Sequence, residues 1–177
     1  DKGQRQTVAI PPSLLISALG QLANIEQAVT MDLKAPGNRL FLVGATADEL
    51  GGSHWALVNN FSGGQVPQVG LKLAPQVFAA VPRAIRSGWV RSCHDLSEGG
   101  LAVALAEMAF AGELGIEVNL SALAAATGIK HDAILLFSES NTRFVLEVPE
   151  AFAQSCVESF ESLPIVELGS TTDSGQV

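Results

Sequence analysis

Basic residues are scarce in this chain. Ten Lys and Arg stand against eighteen Asp and Glu, giving a formal net charge of −8. The few cations are scattered, so the clustered positive charge that a nucleic-acid backbone demands is missing, and nucleic acid is excluded as a partner. Cysteine is nearly absent as well. Cys93 and Cys156 stand alone with no C-x-x-C pair, which indicates neither a zinc site nor a disulfide framework and fits a reducing cytoplasm. No window approaches the roughly 18 uninterrupted apolar residues of a membrane span. The polar opening from Asp1 to Thr7 is no signal peptide and reads as a tail or a cut linker. Internal repeats, low-complexity tracts and interdomain linkers are also lacking. What remains is a chain of 177 residues, 47% of them hydrophobic, with a mean hydropathy of +0.31. Those values predict a well-buried globular protein, read as a single domain over residues 1–177 with its core in 8–173.

The most informative stretch is Ser92-Cys93-His94-Asp95-Leu96-Ser97-Glu98-Gly99-Gly100, running into the Ala/Leu-rich segment from Leu101 to Ala109. It follows the short apolar Trp89-Val90, so it lies at a strand-to-helix junction, where the first helical N–H groups lack internal partners. Two glycines there permit close approach of a ligand, and the helix dipole favours an anion. Asp95 and Glu98 would nevertheless repel a bare phosphate. Hydroxyls, an amide, or a phosphate accompanied by a divalent cation suit the site better. The alternative is structural: Asp95-x-x-Glu98 has the spacing of a capping box, with aspartate in the Ser/Thr position.

In chain order, Ile10-Pro11-Pro12 predicts an extended start, and Leu14 to Leu22 reads as strand or helix, its Leu-Leu-Ile run leaning towards strand at the start. Val29–Leu33 and Leu40–Val43 read as strands of a hairpin around Ala35-Pro36-Gly37-Asn38. Gly51-Gly52-Ser53 offers consecutive N–H groups and a hydroxyl for an anion cradle; its bland counterpart is a loop or a short turn capped by Thr46 and Glu49. Pro75–Ser87 predicts a helix with Val77, Phe78, Val81 and Ile85 on one face, kinked or broken at Pro82 and stopped by Gly88. Further elements are a strand over Trp89–Cys93, a central helix over Gly100–Ala111, a strand over Ile116–Leu120 and a helix over Ser121–Thr127. Asp132–Phe137 is ambiguous between strand and helix. A strand over Phe144–Val148, an amphipathic helix over Pro149–Leu163 and a strand over Ile165–Gly169 complete the series. A third polar knot, Ser138-Glu139-Ser140-Asn141-Thr142-Arg143, separates two apolar runs.

The order and spacing of the three knots resemble the C-terminal domain of the ATP-dependent purine-biosynthetic synthetases. That group includes aminoimidazole ribonucleotide synthase, selenophosphate synthetase and a hydrogenase-maturation protein. The runs Asp48-Glu49-Leu50-Gly51-Gly52-Ser53, His94-Asp95-Leu96-Ser97-Glu98-Gly99-Gly100-Leu101, and Leu136-Phe137-Ser138-Glu139-Ser140 followed by Arg143 are similar to those of the phosphoribosylformylglycinamidine synthases of shorter, multi-subunit type. The resemblance spans nearly the whole chain.

It implies an α+β fold, a mostly antiparallel sheet flanked by helices, of the aminoimidazole ribonucleotide synthase C-terminal-domain kind. It implies a substrate-binding domain of the ligase that converts formylglycinamide ribonucleotide to its amidine, in which ATP phosphorylates the amide oxygen and ammonia displaces the phosphate. Alternatives are the corresponding domain of another synthetase of the group, or a non-catalytic scaffold. The implied substrate-binding residues are Gly51, Gly52 and Ser53 at the ribose phosphate and Asp95 near substrate hydroxyl or amide groups, with Glu139 and Arg143 bracing the pocket through an ion pair. No catalytic residue and no metal ligand is assigned. ATP and Mg2+ are expected mainly outside this chain, on nucleotide-binding N-terminal domains, with ammonia from a glutaminase subunit. His54 and His94 read as structural histidines. The expectation is therefore an excised C-terminal domain, inactive alone.

Overall fold

A computed structural model describes residues 9, 10 and 14–175; the Pro11-Pro12 reading and residues 1–7 lie outside them. Within these residues five strands form one sheet: β1 (Arg39–Val43), β2 (Ser92–Asp95), β3 (Gly115–Val118), β4 (Phe144–Val148) and β5 (Ile165–Thr172), in the order β2-β4-β1-β5-β3. Every pairing is antiparallel. Among the described residues six α-helices accompany it: α1 (His54–Val58), α2 (Ala74–Arg86), α3 (Gly100–Gly112), α4 (Ser121–Thr127), α5 (Asp132–Phe137) and α6 (Ala153–Ser159). The expected α+β architecture is present.

The central strand explains the layering. Alternate residues of a strand face opposite sides, and β1 is apolar on both. Leu40 and Leu42 pack with Val145 and Leu168 against Leu101, Leu105 and Met108 of α3, Leu123 of α4 and Leu135 of α5. Phe41 and Val43 pack with Leu146 and Val148 against Val77, Val81 and Ala84 of α2 and against Cys156 and Phe160. A sheet covered on both faces needs such near-continuous apolar strands. Helix α3 is apolar nearly all round and is central, as its composition predicts.

Several local expectations are corrected. Residues 29–33 form no strand and no hairpin with β1, because both edges of β1 are taken, by β4 and β5. The segment instead hooks across the fold: the Cys93 N–H donates to the Thr30 carbonyl, and the Leu33 N–H to that of Met108. A buried carboxylate anchors the next turn. Glu147, on β4, accepts from the N–H groups of Lys34 and Ala35, from Asn38 Nδ2 at 2.6 Å and from Ser92 Oγ at 2.8 Å. Burying an anion is tolerable when hydrogen bonds surround it. Leu14 to Leu22 is in no strand or helix and leaves Leu14, Leu15, Ile16, Leu19 and Leu22 exposed. Helix α2 is not broken at Pro82, which lies on its exposed face. The long helix expected after Pro149 is divided into a 3-10 turn, Glu150–Phe152, and α6. Asp132–Phe137, ambiguous in sequence, is helical.

Candidate functional site

The register of the sheet brings the three polar knots to one end of it. Phe144, the first residue of β4, pairs with Val43 on one side and Asp95 on the other. The chain leaving β1, the chain leaving β2 and the chain entering β4 therefore emerge side by side.

Hydrogen bonds then lock the knots together. The Ala47 N–H donates to Ser140 Oγ at 3.1 Å, and Ser138 Oγ donates to the Ala47 carbonyl at 2.7 Å. The Leu96 N–H donates to the Arg143 carbonyl at 3.0 Å. Glu139 is the hub: Oε1 accepts from the His54 N–H and from the Gly99 N–H, both at 2.9 Å. A carboxylate of the protein thus occupies the anion-favouring position at the turns preceding α1 and α3. Two glycines make the fit possible. A Cβ on Gly44 would lie 2.3 Å from the Thr142 carbonyl oxygen, and one on Gly100, at φ +63°, would lie 2.4 Å from that of Ser138.

Arg143 is 1% exposed. Its Nε donates to the Ser140 carbonyl at 2.9 Å, Nη1 to Thr46 Oγ1 at 3.0 Å, and Nη2 to the Ser138 carbonyl. Burial pushes the guanidinium down to about 10, against the opposing fields of Glu49 and Glu139. The ion pair expected between Glu139 and Arg143 is not formed. The carboxylate takes main-chain N–H groups and the guanidinium takes carbonyls and a hydroxyl, so each braces the knots separately.

The capping box is also corrected. Asp95 ends β2, four residues before Gly99, the N-cap of α3, which is left-handed at φ +81° and makes no side-chain cap. The Asp95 side chain is 68% exposed and reaches only His94 Nδ1, at 3.5 Å. His94 is held on its other nitrogen by Glu107 Oε2 at 2.8 Å. The Glu98 carboxyl is held below the usual range by its own backbone N–H and by Ser97, with a further contribution from His54.

Asp95, Leu96, Ser97, Glu98, Glu139, Asn141, Thr142 and Arg143 line an open cleft of about 460 Å3, to which Pro67, Phe78 and Phe144 add apolar surface. Three carboxylates face it, and its cation is buried. Gly51, Gly52 and Ser53 are not in this cleft; Gly52 and Ser53 open onto a smaller hollow of about 240 Å3 with His54, Leu57 and Phe61. Their donors are largely committed. Ser53 Oγ donates to the Leu50 carbonyl and accepts from the Ala56 N–H as the cap of α1, and the Gly51 N–H donates to the Gln65 carbonyl. Among the described residues, no three His, Cys, Asp or Glu side chains converge on a point that could hold a metal ion. Sequence reasoning missed Pro67, which carries no local signal. It also missed Phe78, which the helical spacing sets on one face of α2 with Val77, Val81 and Ile85 and in no site.

The domain described as AIR synthase related protein, C-terminal domain, matches residues 35–177. The chain is 39% identical over 176 residues to the phosphoribosylformylglycinamidine synthase subunit PurL of Deinococcus radiodurans, covering 96% of this chain and 23% of that protein. It is 36% identical to the same subunit of Methanothrix thermoacetophila, over 93% of this chain and 21% of that one. It therefore spans between a fifth and a quarter of the length of these relatives. The fold is similar to that of Thermotoga maritima PurL complexed with FGAR, with TM-score 0.73 and 19% identity, over 84% of this chain and 26% of that one. It is also similar to the hydrogenase maturation protein HypE of Escherichia coli, with TM-score 0.57 and 19% identity, over 82% of this chain and 46% of that one.

Proposed function

The chain belongs to the family of AIR synthase related C-terminal domains, and from that membership we propose that it is the substrate-facing domain of an ATP-dependent amidine synthetase. The substrate of that enzyme is formylglycinamide ribonucleotide, and the product is the amidine of purine biosynthesis. The observation that carries this reading is the 39% identity to a phosphoribosylformylglycinamidine synthase subunit over 96% of the chain. The cleft adds chemical support. Carboxylates accept hydrogen bonds and do not donate them, so Asp95 suits hydroxyl and amide N–H groups of such a substrate. Glu139 and Arg143 act beneath it, by fixing the turns that shape the cleft. Gly51, Gly52 and Ser53 contribute main-chain shape, with Ser53 spent on capping α1.

The described residues do not fit a magnesium ion by themselves. ATP and Mg2+ belong mainly to nucleotide-binding domains of the complete polypeptide, a glutaminase subunit supplies the ammonia, and the assembly works in the cytoplasm.

Asp95→Asn in the complete polypeptide tests the reading, with ammonia as nitrogen donor. Because Asp95 caps nothing, the unfolding midpoint should stay unchanged with either Asn or Ala. The value of kcat/KM should fall about tenfold to a hundredfold, roughly 1.4–2.8 kcal/mol of transition-state binding. A folded Asn variant with unaltered kcat/KM would remove Asp95 from the site, and a wild-type polypeptide that makes no amidine would overturn the function.

A further inference from the structure

The apolar surface of the cleft is unexplained by the roles proposed so far, and Phe78 is its exposed ring. On α2 the buried positions are Ala74, Val77, Ala80, Val81 and Ala84. Successive helical residues are about 100° apart, so Phe78 falls at the margin of that stripe and is 54% exposed. It is not loose: its ring meets Phe144 edge-on, with centroids 6.1 Å apart and planes at 76°. An edge-to-face pair holds one ring by its edge and leaves a face of the other open. Pro67 lines the same cleft.

The polar part of the lining, in which Asp95 is the cross-strand neighbour of Phe144, has a complementary character. Asp95 and Glu98 present exposed carboxylates, and among the described residues lining the cleft Arg143, which is buried, is the one Lys or Arg. Such a wall repels a phosphate and accepts from hydroxyls. A volume of about 460 Å3 is that of a small-molecule site, in which apolar surface and a few placed polar groups share the recognition.

We infer that Phe78, backed by Phe144 and flanked by Pro67, is a stacking shelf for a planar, π-faced group carried on a ribose, whose hydroxyls meet Asp95 and Glu98. The inference rests on the function proposed above and goes further, since it assigns a specificity-determining residue that the sequence reading set only on one face of a helix. Two sources share this chemistry: the planar amides of the ribonucleotide acceptor, and the base of the nucleotide. In either case the phosphate points away from the carboxylate wall.

The test uses the complete polypeptide with Phe78→Leu and Phe78→Trp. Leucine keeps apolar bulk without a π-face; tryptophan keeps the face. Calorimetric Kd values are measured separately for formylglycinamide ribonucleotide and for ATP, beside the amidine assay. Loss of stacking should weaken the ligand on the shelf about tenfold in the Leu variant, and Trp should hold it near wild type. Weakened binding of the acceptor alone assigns the shelf to its amides, and weakened binding of ATP alone assigns it to the base. Leu and wild-type Kd values within twofold for both ligands overturn the inference while leaving an active enzyme's function intact. An inactive wild type whose ribonucleotide binding still depends on Phe78 overturns the function and keeps the shelf. A wild type that binds neither ligand and makes no amidine overturns both.

Discussion

The thiols show how a single residue's burial becomes a property of the protein. Cys93 is pushed up to about 12 by burial, with Asp95 adding to it, and Cys156 up to about 11 by burial alone, from an ordinary value of 9.0. Below the unfolded value both states hold the proton, and pH has no effect through these groups. Between about 9 and the native values the unfolded chain loses its thiol protons while the native one keeps them, so stability falls as pH rises. Each thiol can contribute at most about 1.4 kcal/mol per pH unit in that window. The urea midpoint should therefore decline from pH 9 to 11, and Cys93→Ala should decline less steeply. Equal slopes for the two proteins would contradict the assigned burial. The same residue-scale view separates two anions that look alike in sequence. Glu147 spends itself on the turn at residues 34–38, whereas Asp95 keeps its carboxylate for the cleft.

At the scale of elements, α2 carries two different duties on one turn. Val77 and Val81 seal the sheet, Phe78 lines the cleft, and Pro82 occupies the exposed side. A proline inside a helix removes the bond to the carbonyl four residues earlier and crowds it. Where that carbonyl belongs to Phe78, the defect lies next to the proposed shelf. Pro82→Ala should restore the bond and raise stability by about 2 kcal/mol, the helix gain of about 3 kcal/mol being partly offset by the greater freedom of the unfolded chain. An unfolding midpoint that stays level or drops would show that the helix has already adapted to proline. The short helices tell a related story. Helix α1 has five residues and could not persist alone; the Ser53 cap and the Glu139 hub hold its first turn.

At the scale of the molecule, the chain spans only about a fifth to a quarter of its curated relatives, and its cleft is open and acidic. Such a cleft offers no strong site for the phosphates of a nucleotide. The 177-residue chain by itself should therefore produce no amidine from formylglycinamide ribonucleotide, ATP and ammonia, while circular dichroism shows it folded. Steady turnover by the purified chain would refute that expectation. The exposed run Leu14, Leu15, Ile16 and Leu19 is the other feature that these residues alone do not explain.

The sequence by itself determined the elements whose signals are local. Gly128 stopping α4, the apolar β4 between polar flanks, and the Ala/Leu-rich α3 were all legible, because capping, alternation and helical periodicity act within a few residues. The three polar knots were legible as separate motifs for the same reason. The tertiary structure decided what those motifs do with one another. Antiparallel pairing of β4 with both β1 and β2 gathers them at one end of the sheet, and it gives Glu139 partners 85 and 40 residues away. It also denied Val29–Leu33 its place in a hairpin, since β1 already had a neighbour on each edge. The place of Phe78 in the cleft was not legible because helical periodicity gives the direction of a side chain and not what stands opposite it. Its ring meets Phe144, where β4 begins, and a position on the apolar face becomes part of the wall of a cleft.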